Sequence, residues 1–392
     1  MWSERQSTGS NRAKMPFLQT LLHHPRKLLL RRALFQVHLW AGVLLSLYVV
    51  VIALTGSVLV FRTELTKAML PKELSIYDAS QAMSIEEVLQ KFQLAYPGAT
   101  LQNLQTPSPR MPAYLLTARE ANGHGLTFIA DPLTARLWAQ PRTWLDWIYD
   151  LHVYLLLGHA FGMQVNGLGA VILLLLTFSG IFLWWSGFRT WMRGLGVDFR
   201  RNWRRINFDL HSAIGFWTLL IVFWWGLSGV YFAWYRQVTS VVAYVSPLRG
   251  MISPSSVPLH GVARVSMRQI LATVQEASPG GHLFSLSDPM LSGESTYALV
   301  DLREPGDFSH RDILQISTVD GRLLSTWHYG QNHSAGDWFL WAMHPLHFGT
   351  LWGIAFKVLW AGLGVALAGL SITGLLMYWN RFLRHRLSRY RR

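Results

Sequence analysis

The sequence predicts an α-helical integral membrane protein: four main transmembrane helices in two parallel pseudo-symmetric repeats, each repeat carrying a small α+β external domain. Three observations predict it. Four apolar stretches are each long enough to cross a bilayer, which takes about 20 residues. Positive charge is concentrated in three short segments beside them. The second half of the chain repeats the first.

Composition sets the frame. The 392 residues are 51% hydrophobic and only 14% charged, with 19 Trp, 20 Phe and no Cys. A soluble domain carries about 25% charged residues. The missing cysteine removes disulfides, thiolate zinc sites, iron–sulfur clusters and haem attached through C-x-x-C-H.

The elements follow in order. A basic segment, 1–32, leads into the first span, 33–61, which lacks a small-residue cleavage site after it and reads as a retained helix. An external domain over 62–143 is followed by an edge helix and second span over 144–186. A basic loop, 187–205, leads to the third span, 206–235, and a second external domain, 236–336. An edge helix and last span fill 337–380, and a basic tail closes the chain at 381–392. The apolar stretch Phe348–Trp379 is too long for a perpendicular crossing, so part of it must tilt, break or protrude.

The three basic segments together hold 19 Lys/Arg and two acids, a net +17, while the rest of the chain nets −3. The positive-inside rule then puts both termini and the middle loop in the cytoplasm and the two large regions on the other side. The formal charge of +14 is a topology label, and the lipid bilayer, not nucleic acid, is the partner it implies.

Within the external regions, Ile85, Val88, Leu89 and Phe92 recur at helical spacing and predict a helix over 84–95, repeated over 266–277. Pro97-Gly98 and Pro279-Gly280 stop these helices. Strands are expected at Ala113–Ala118 and Tyr297–Leu302, with hairpin turns near Asp131-Pro132 and Asp320-Gly321.

The repeat is exact in spacing at its start. Arg31-Arg32, His38, Gly42 and Gly56 match Arg204-Arg205, His211, Gly215 and Gly229 at an offset of 173. His152 and Gly158 match His347 and Gly353, and Ser179-Gly180 lies in a segment, Leu176–Trp185, matching Leu370–Trp379 with its Thr373-Gly374. Both halves run in the same direction, so a pseudo-two-fold axis along the membrane normal is expected.

This combination of span, helix-plus-hairpin module with a D-P-x-T-A or D-G turn, His-bearing helix and [ST]-G span resembles the PepSY-associated transmembrane family over about 31–380. Within it the chain looks most like the siderophore (ferrioxamine) reductases of the bacterial inner membrane. The resemblance implies PepSY-like periplasmic domains, two b-type haems and reduction of a periplasmic ferric siderophore.

The histidines carry the chemistry. Of 15, four repeat under the duplication: His38 with His211, and His152 with His347. A pseudo-two-fold axis brings equivalent residues face to face, and a haem iron bound by two imidazoles needs one from each side. His38 and His211 begin their spans near the cytoplasmic side; His152 and His347 precede theirs near the external side. One haem near each face is expected. His159 and His344 lack a repeat partner and stand as alternative ligands, or as contacts to a propionate or the substrate. Gly42, Gly215, Gly158 and Gly353 leave room for a macrocycle or for close helix packing. For any one membrane-edge histidine, a hydrogen bond to backbone is the plain alternative.

Other signals are more general. Trp184-Trp185, Trp224-Trp225, Trp352, Trp360 and Trp379 suit electron relay or an interfacial belt. Lys357 snorkels or neutralises a propionate, and Arg62 and Glu64 read as a surface pair. Glu304, Asp307 and Asp337 give the external face a mildly acidic balance that suits a neutral or cationic chelate. The activity the resemblance implies is that of a haem-dependent ferric-siderophore reductase, with a hydroxamate chelate favoured; reduction would release the iron because hard oxygen donors hold Fe(III) better than Fe(II). Its electron donor is quinol or a cytoplasmic reductase. The other class is a PepSY-type periplasmic binding or regulatory protein without redox chemistry. No residue is singled out as catalytic.

Overall fold

The computed structural model describes residues 29–121, 125–249, 264–291, 293–304 and 309–383. Most of the basic N-terminal segment and tail, together with His23, His24, His124, His260, Asp307 and His385, lie outside the described residues. The chain divides into two compact units: residues 1–53, 168–227 and 365–392 form one, and 54–167 with 228–364 the other.

The first unit is helical. It takes in most of α1 (Leu29–Leu59), the later part of α5 (His159–Trp184), α6 (Trp203–Trp217), part of α7 (Leu219–Ala233) and the later part of α11 (Gly353–Tyr378). Among the described residues, three helices are long and apolar enough to cross a membrane: Leu29–Leu59, His159–Trp184 and Gly353–Phe382. The bent pair α6–α7 makes a fourth if counted as one span.

That pair covers the third span expected over 206–235, in two pieces rather than one continuous helix. The two pieces meet at 64°. Thr218 lies between them, and its Oγ1 donates to the Ile214 carbonyl at 2.8 Å. Such back-bonding to the preceding turn bends helices, and a hydropathy profile passes over it.

The buried core of this unit is small: Val49, Ala53, Val222, Leu367 and Ala368, with Tyr48, Leu173 and Leu370 against it. Large apolar residues such as Leu44, Leu47 and Leu220 stay exposed, as lipid-facing side chains do. Glycine permits the close helix contacts. A Cβ on Gly169 would fall 2.3 Å from the Tyr48 ring. Arg31 closes one helix end, donating to the carbonyls of Phe182, Leu183 and Trp185. A cation there offsets the negative end of the α5 dipole.

The second unit holds one eight-stranded antiparallel sheet in the order β4-β3-β2-β1-β5-β6-β7-β8. The strands are β1 Ala99–Gln105, β2 Tyr114–Glu120, β3 Gly125–Ala130, β4 Leu137–Gln140, β5 His282–Ser287, β6 Ser295–Asp301, β7 Arg311–Ser317 and β8 Leu323–Trp327. The two external domains expected from sequence are therefore halves of a single sheet. They join through β1 and β5, where Asn103, Leu104 and Gln105 pair with Ser287, Leu286 and Ser285. Pairing the two inner edges satisfies backbone groups that would otherwise be open.

The helices expected beside these strands are present: α3 (Ile85–Ala95) and α9 (Met267–Ala277). Ser84 and Glu87 form a reciprocal capping box at α3, and Ser266 caps α9. Their apolar faces pack on the sheet, with Val88, Phe92, Leu104, Phe128, Ile270 and Leu286 fully buried. Each such burial contributes about 1.5–3 kcal/mol. Asp131 organises the first hairpin turn, accepting from the amides of Ser75, Leu133 and Thr134 at 2.7–2.9 Å. Burial pushes its carboxyl pKa up, but those amides outweigh it and hold the pKa below the ordinary carboxylate value.

The same unit carries α2 (Arg62–Ala68), the edge helices α4 (Trp144–Tyr154) and α10 (Ala335–Phe348), and α8 (Tyr235–Val245). Both edge helices stop short of the spans after them. Leu155, Leu156 and Gly158 take positive φ after α4, and Gly349 and Gly353 do so after α10. The long last stretch is thus broken, one of the outcomes its length demanded.

Candidate functional site: two histidine pairs

Each unit brings one predicted pair of histidines together. In the first, His38 of α1 faces His211 of α6 with ring centres 6.4 Å apart and planes at 87°. In the second, His152 of α4 faces His347 of α10, again at 6.4 Å, with planes at 65°.

All four rings are held at Nδ1. The Ser179 hydroxyl lies 2.9 Å from Nδ1 of His38. Ser179 Oγ donates its own proton to the Leu175 carbonyl at 2.7 Å, so toward His38 it accepts. His211 Nδ1 lies 3.0 Å from the Leu370 carbonyl and 3.1 Å from Thr373 Oγ1. A carbonyl only accepts, so the proton of His211 sits on Nδ1. In the other pair, Thr55 Oγ1 lies 3.0 Å from His152 Nδ1 and Ser228 Oγ 2.7 Å from His347 Nδ1.

The residue after three of these hydroxyls is a glycine beside the ring. A Cβ on Gly56 would stand 2.9 Å from Cε1 of His152, one on Gly374 3.1 Å from Cε1 of His211, and one on Gly180 3.4 Å from Cε1 of His38. The glycines singled out from sequence do other things. Gly42 and Gly215 face Leu176 and Leu370, and Gly158 and Gly353 serve the positive φ of their turns, with open space where a Cβ would be.

The alternative ligands stand elsewhere. His159 is exposed at the first turn of α5, its ring 4.8 Å from Tyr154. His344 is exposed too and packs on Tyr231 and Phe232, the latter also against His347. Among the described residues no three His, Asp or Glu side chains gather into a self-contained metal site.

Lys357 pairs with Glu64 at 2.7 Å, while Arg62 stacks on Tyr149 at 4.3 Å, so the surface pair expected between Arg62 and Glu64 is replaced. Asp337 is buried and caps α10 with Ser334, and Glu304 meets Arg110 at 3.7 Å. Asp337 therefore adds nothing to an acidic surface. Trp352 and Trp379 are exposed, whereas Trp360 is buried and donates to the Leu346 carbonyl at 2.8 Å, tying α11 to the helix that bears His347.

The hydroxyls were missed from sequence, although a signal was present. His38 and Thr55-Gly56 have the same spacing as His211 and Ser228-Gly229.

Among curated proteins, the chain is 29% identical over 266 residues to the uncharacterized protein PA4219 of Pseudomonas aeruginosa, covering 60% of this chain and 64% of that one. The chain thus spans under two thirds of that relative's length. The family model for the PepSY-associated TM region matches residues 35–381. With nearly the whole chain inside that match, the protein belongs to the PepSY-associated transmembrane family.

Proposed function

We propose that the chain is an inner-membrane di-haem b reductase that passes single electrons across the membrane to a periplasmic ferric siderophore. The observation that carries the reading is the spacing of the two pairs. A metal–imidazole bond of about 2 Å plus about 1.2 Å from nitrogen to ring centre, taken from both sides, gives roughly 6.4 Å. Both pairs have that separation. With Nδ1 engaged by a hydroxyl, Nε2 is the nitrogen placed to ligate, and the glycines leave the rings room to stand upright.

Bound haem b would supply one-electron chemistry, and the histidines that hold it would set its potential. The protein holds the ligands, excludes water with the apolar helices around them, and presents the sheet-bearing region to the chelate. In the topology implied by the charge pattern, His38 and His211 would hold the haem that receives electrons on the cytoplasmic side, and His152 and His347 the haem that passes them to the chelate. One electron converts chelated Fe(III) to Fe(II). Hard hydroxamate oxygens hold the reduced ion poorly, so the iron is released. Quinol or a reductase docking on the basic cytoplasmic segments is the donor.

The test is anaerobic. The purified protein is reduced stoichiometrically, mixed with a ferric hydroxamate siderophore, and Fe(II) is trapped by a chelator. One Fe(II) per electron withdrawn supports the reading; reduced protein that stays reduced sinks it.

One observation favours the second class, a periplasmic binding or regulatory protein. A cavity of about 260 Å³ lies at the seam of the sheet, lined by polar residues including Thr106, Ser108, His282 and Asp301. Binding of a peptide there by haem-free protein would support it.

A further inference from the structure

We infer that Thr55, Ser179, Ser228 and Thr373 are positioning residues that fix the tautomer and basicity of the four ligand histidines and thereby set the two haem potentials. The inference rests on the haem reading and deepens it.

The four contacts share one construction. Each hydroxyl comes from a helix other than the one bearing its histidine: Ser179 on α5 reaches His38 on α1, Thr373 on α11 reaches His211 on α6, Thr55 on α1 reaches His152 on α4, and Ser228 on α7 reaches His347 on α10. Each is followed by glycine. The arrangement is reciprocal. α1 gives a histidine to one pair and a hydroxyl to the other, and the α6–α7 segment does the same with His211 and Ser228. Two such contacts, each kept in both halves of the repeat, are more than helix packing requires.

The chemistry follows from the proton count. A neutral imidazole has one N–H. If an acceptor keeps that proton on Nδ1, the lone pair is on Nε2 in every molecule, and the ring cannot rotate without breaking the bond. An acceptor at Nδ1–H also makes the ligand more basic. A more basic ligand favours the oxidised iron and lowers its potential. The hydroxyl needs an outlet for its own proton, and Ser179 and Thr373 have one in the carbonyls of Leu175 and Leu370. The result is a short relay from ring to hydroxyl to helix backbone, achieved without placing a carboxylate in the apolar interior, where a charge is costly.

Both rings of the His38–His211 pair also have a backbone acceptor: the Leu370 carbonyl at 3.0 Å from His211, and the equivalent Leu176 carbonyl for His38. Removing Thr373 or Ser179 therefore leaves that acceptor in place and weakens the positioning without abolishing it.

The experiment is a spectroscopic redox titration of the purified full chain, with haem stoichiometry, for the unmodified protein and for Ser179→Ala, Ser179→Thr, Ser179→Val, Thr373→Ala and Ser228→Ala. In Ser179→Ala we expect one of two potentials to rise and that haem to be held about 10–100-fold more weakly, as for loss of other partners of metal-bound histidine. The other potential stays. Ser179→Thr restores both quantities and Ser179→Val does not. Ser228→Ala moves the other potential, and Thr373→Ala moves the same one as Ser179→Ala. Unchanged potentials and haem retention in both Ser179→Ala and Ser228→Ala would overturn the inference, as would restoration by Val equal to that by Thr. If the unmodified protein binds no haem, it is the underlying reading that fails, and this inference with it.

Discussion

The Oγ of Ser228 stands 2.7 Å from Nδ1 of His347, although 119 residues separate them. The contact links a hydroxyl on a membrane helix to a histidine on an edge helix, and the repeat reproduces it at Thr55 and His152, at 3.0 Å. It gives each ring a fixed orientation before any cofactor binds.

The first prediction concerns the ligands. Replacing His38 or His211 by Leu removes one haem and its spectral component; replacing His152 or His347 removes the other. Haem per chain falls from two to one in each case, measured by extraction. Replacing His159 or His344 leaves haem content unchanged. Full haem retention after any of the first four changes contradicts that assignment.

Glycine substitutions should rank by distance. A Cβ at Gly56 meets His152 at 2.9 Å, at Gly374 it meets His211 at 3.1 Å, and at Gly180 it meets His38 at 3.4 Å. Gly56→Ala is the most damaging, costing about 1–3 kcal/mol through overpacking, and Gly180→Ala the mildest. Thermal unfolding of the detergent-solubilised variants gives the order.

Lys357 separates two roles. Its ion pair with Glu64, an acid nearly half exposed, is worth at most about 1 kcal/mol. Glu64→Gln and Lys357→Met should each lower stability by that amount or less and leave both haem potentials in place. A shifted potential in Lys357→Met alone would assign Lys357 to a propionate instead.

Asp131 gives the sheet a pH dependence of known sign. Its folded pKa lies below the unfolded value, so its stabilisation is present above about pH 4 and is lost as pH falls through the folded pKa. Asp131→Asn should flatten stability against pH below about 4 relative to the unmodified protein. Equal slopes for the two proteins would remove Asp131 from that account.

Much of this was legible in the sequence, for identifiable reasons. The histidine pairs were readable because the repeat keeps His38 and His211 at identical distances from their basic pairs and glycines. The helices over 85–95 and 267–277 announce themselves by apolar spacing and by Ser84 and Ser266 as caps. What escaped depends on long-range contact. Nothing local in β1 or β5 says that their edges pair with each other rather than face solvent. The bend at Thr218 hides inside a continuous apolar run, because a hydroxyl bonded to the preceding turn costs little hydropathy. Ser179, Thr373, Thr55 and Ser228 looked like ordinary small residues of packed spans, and their role appears only when a ring from another helix arrives. Gly56, Gly180 and Gly374 were visible as repeat marks, but which side chain they make room for was not.

The central claim is that paired histidines hold haem, and the visible spectrum of the purified chain before and after dithionite tests it most directly. The account predicts a Soret band that shifts on reduction, with two extractable b haems per chain assigned to His38 with His211 and His152 with His347. Protein that is folded, colourless and free of extractable haem would contradict it.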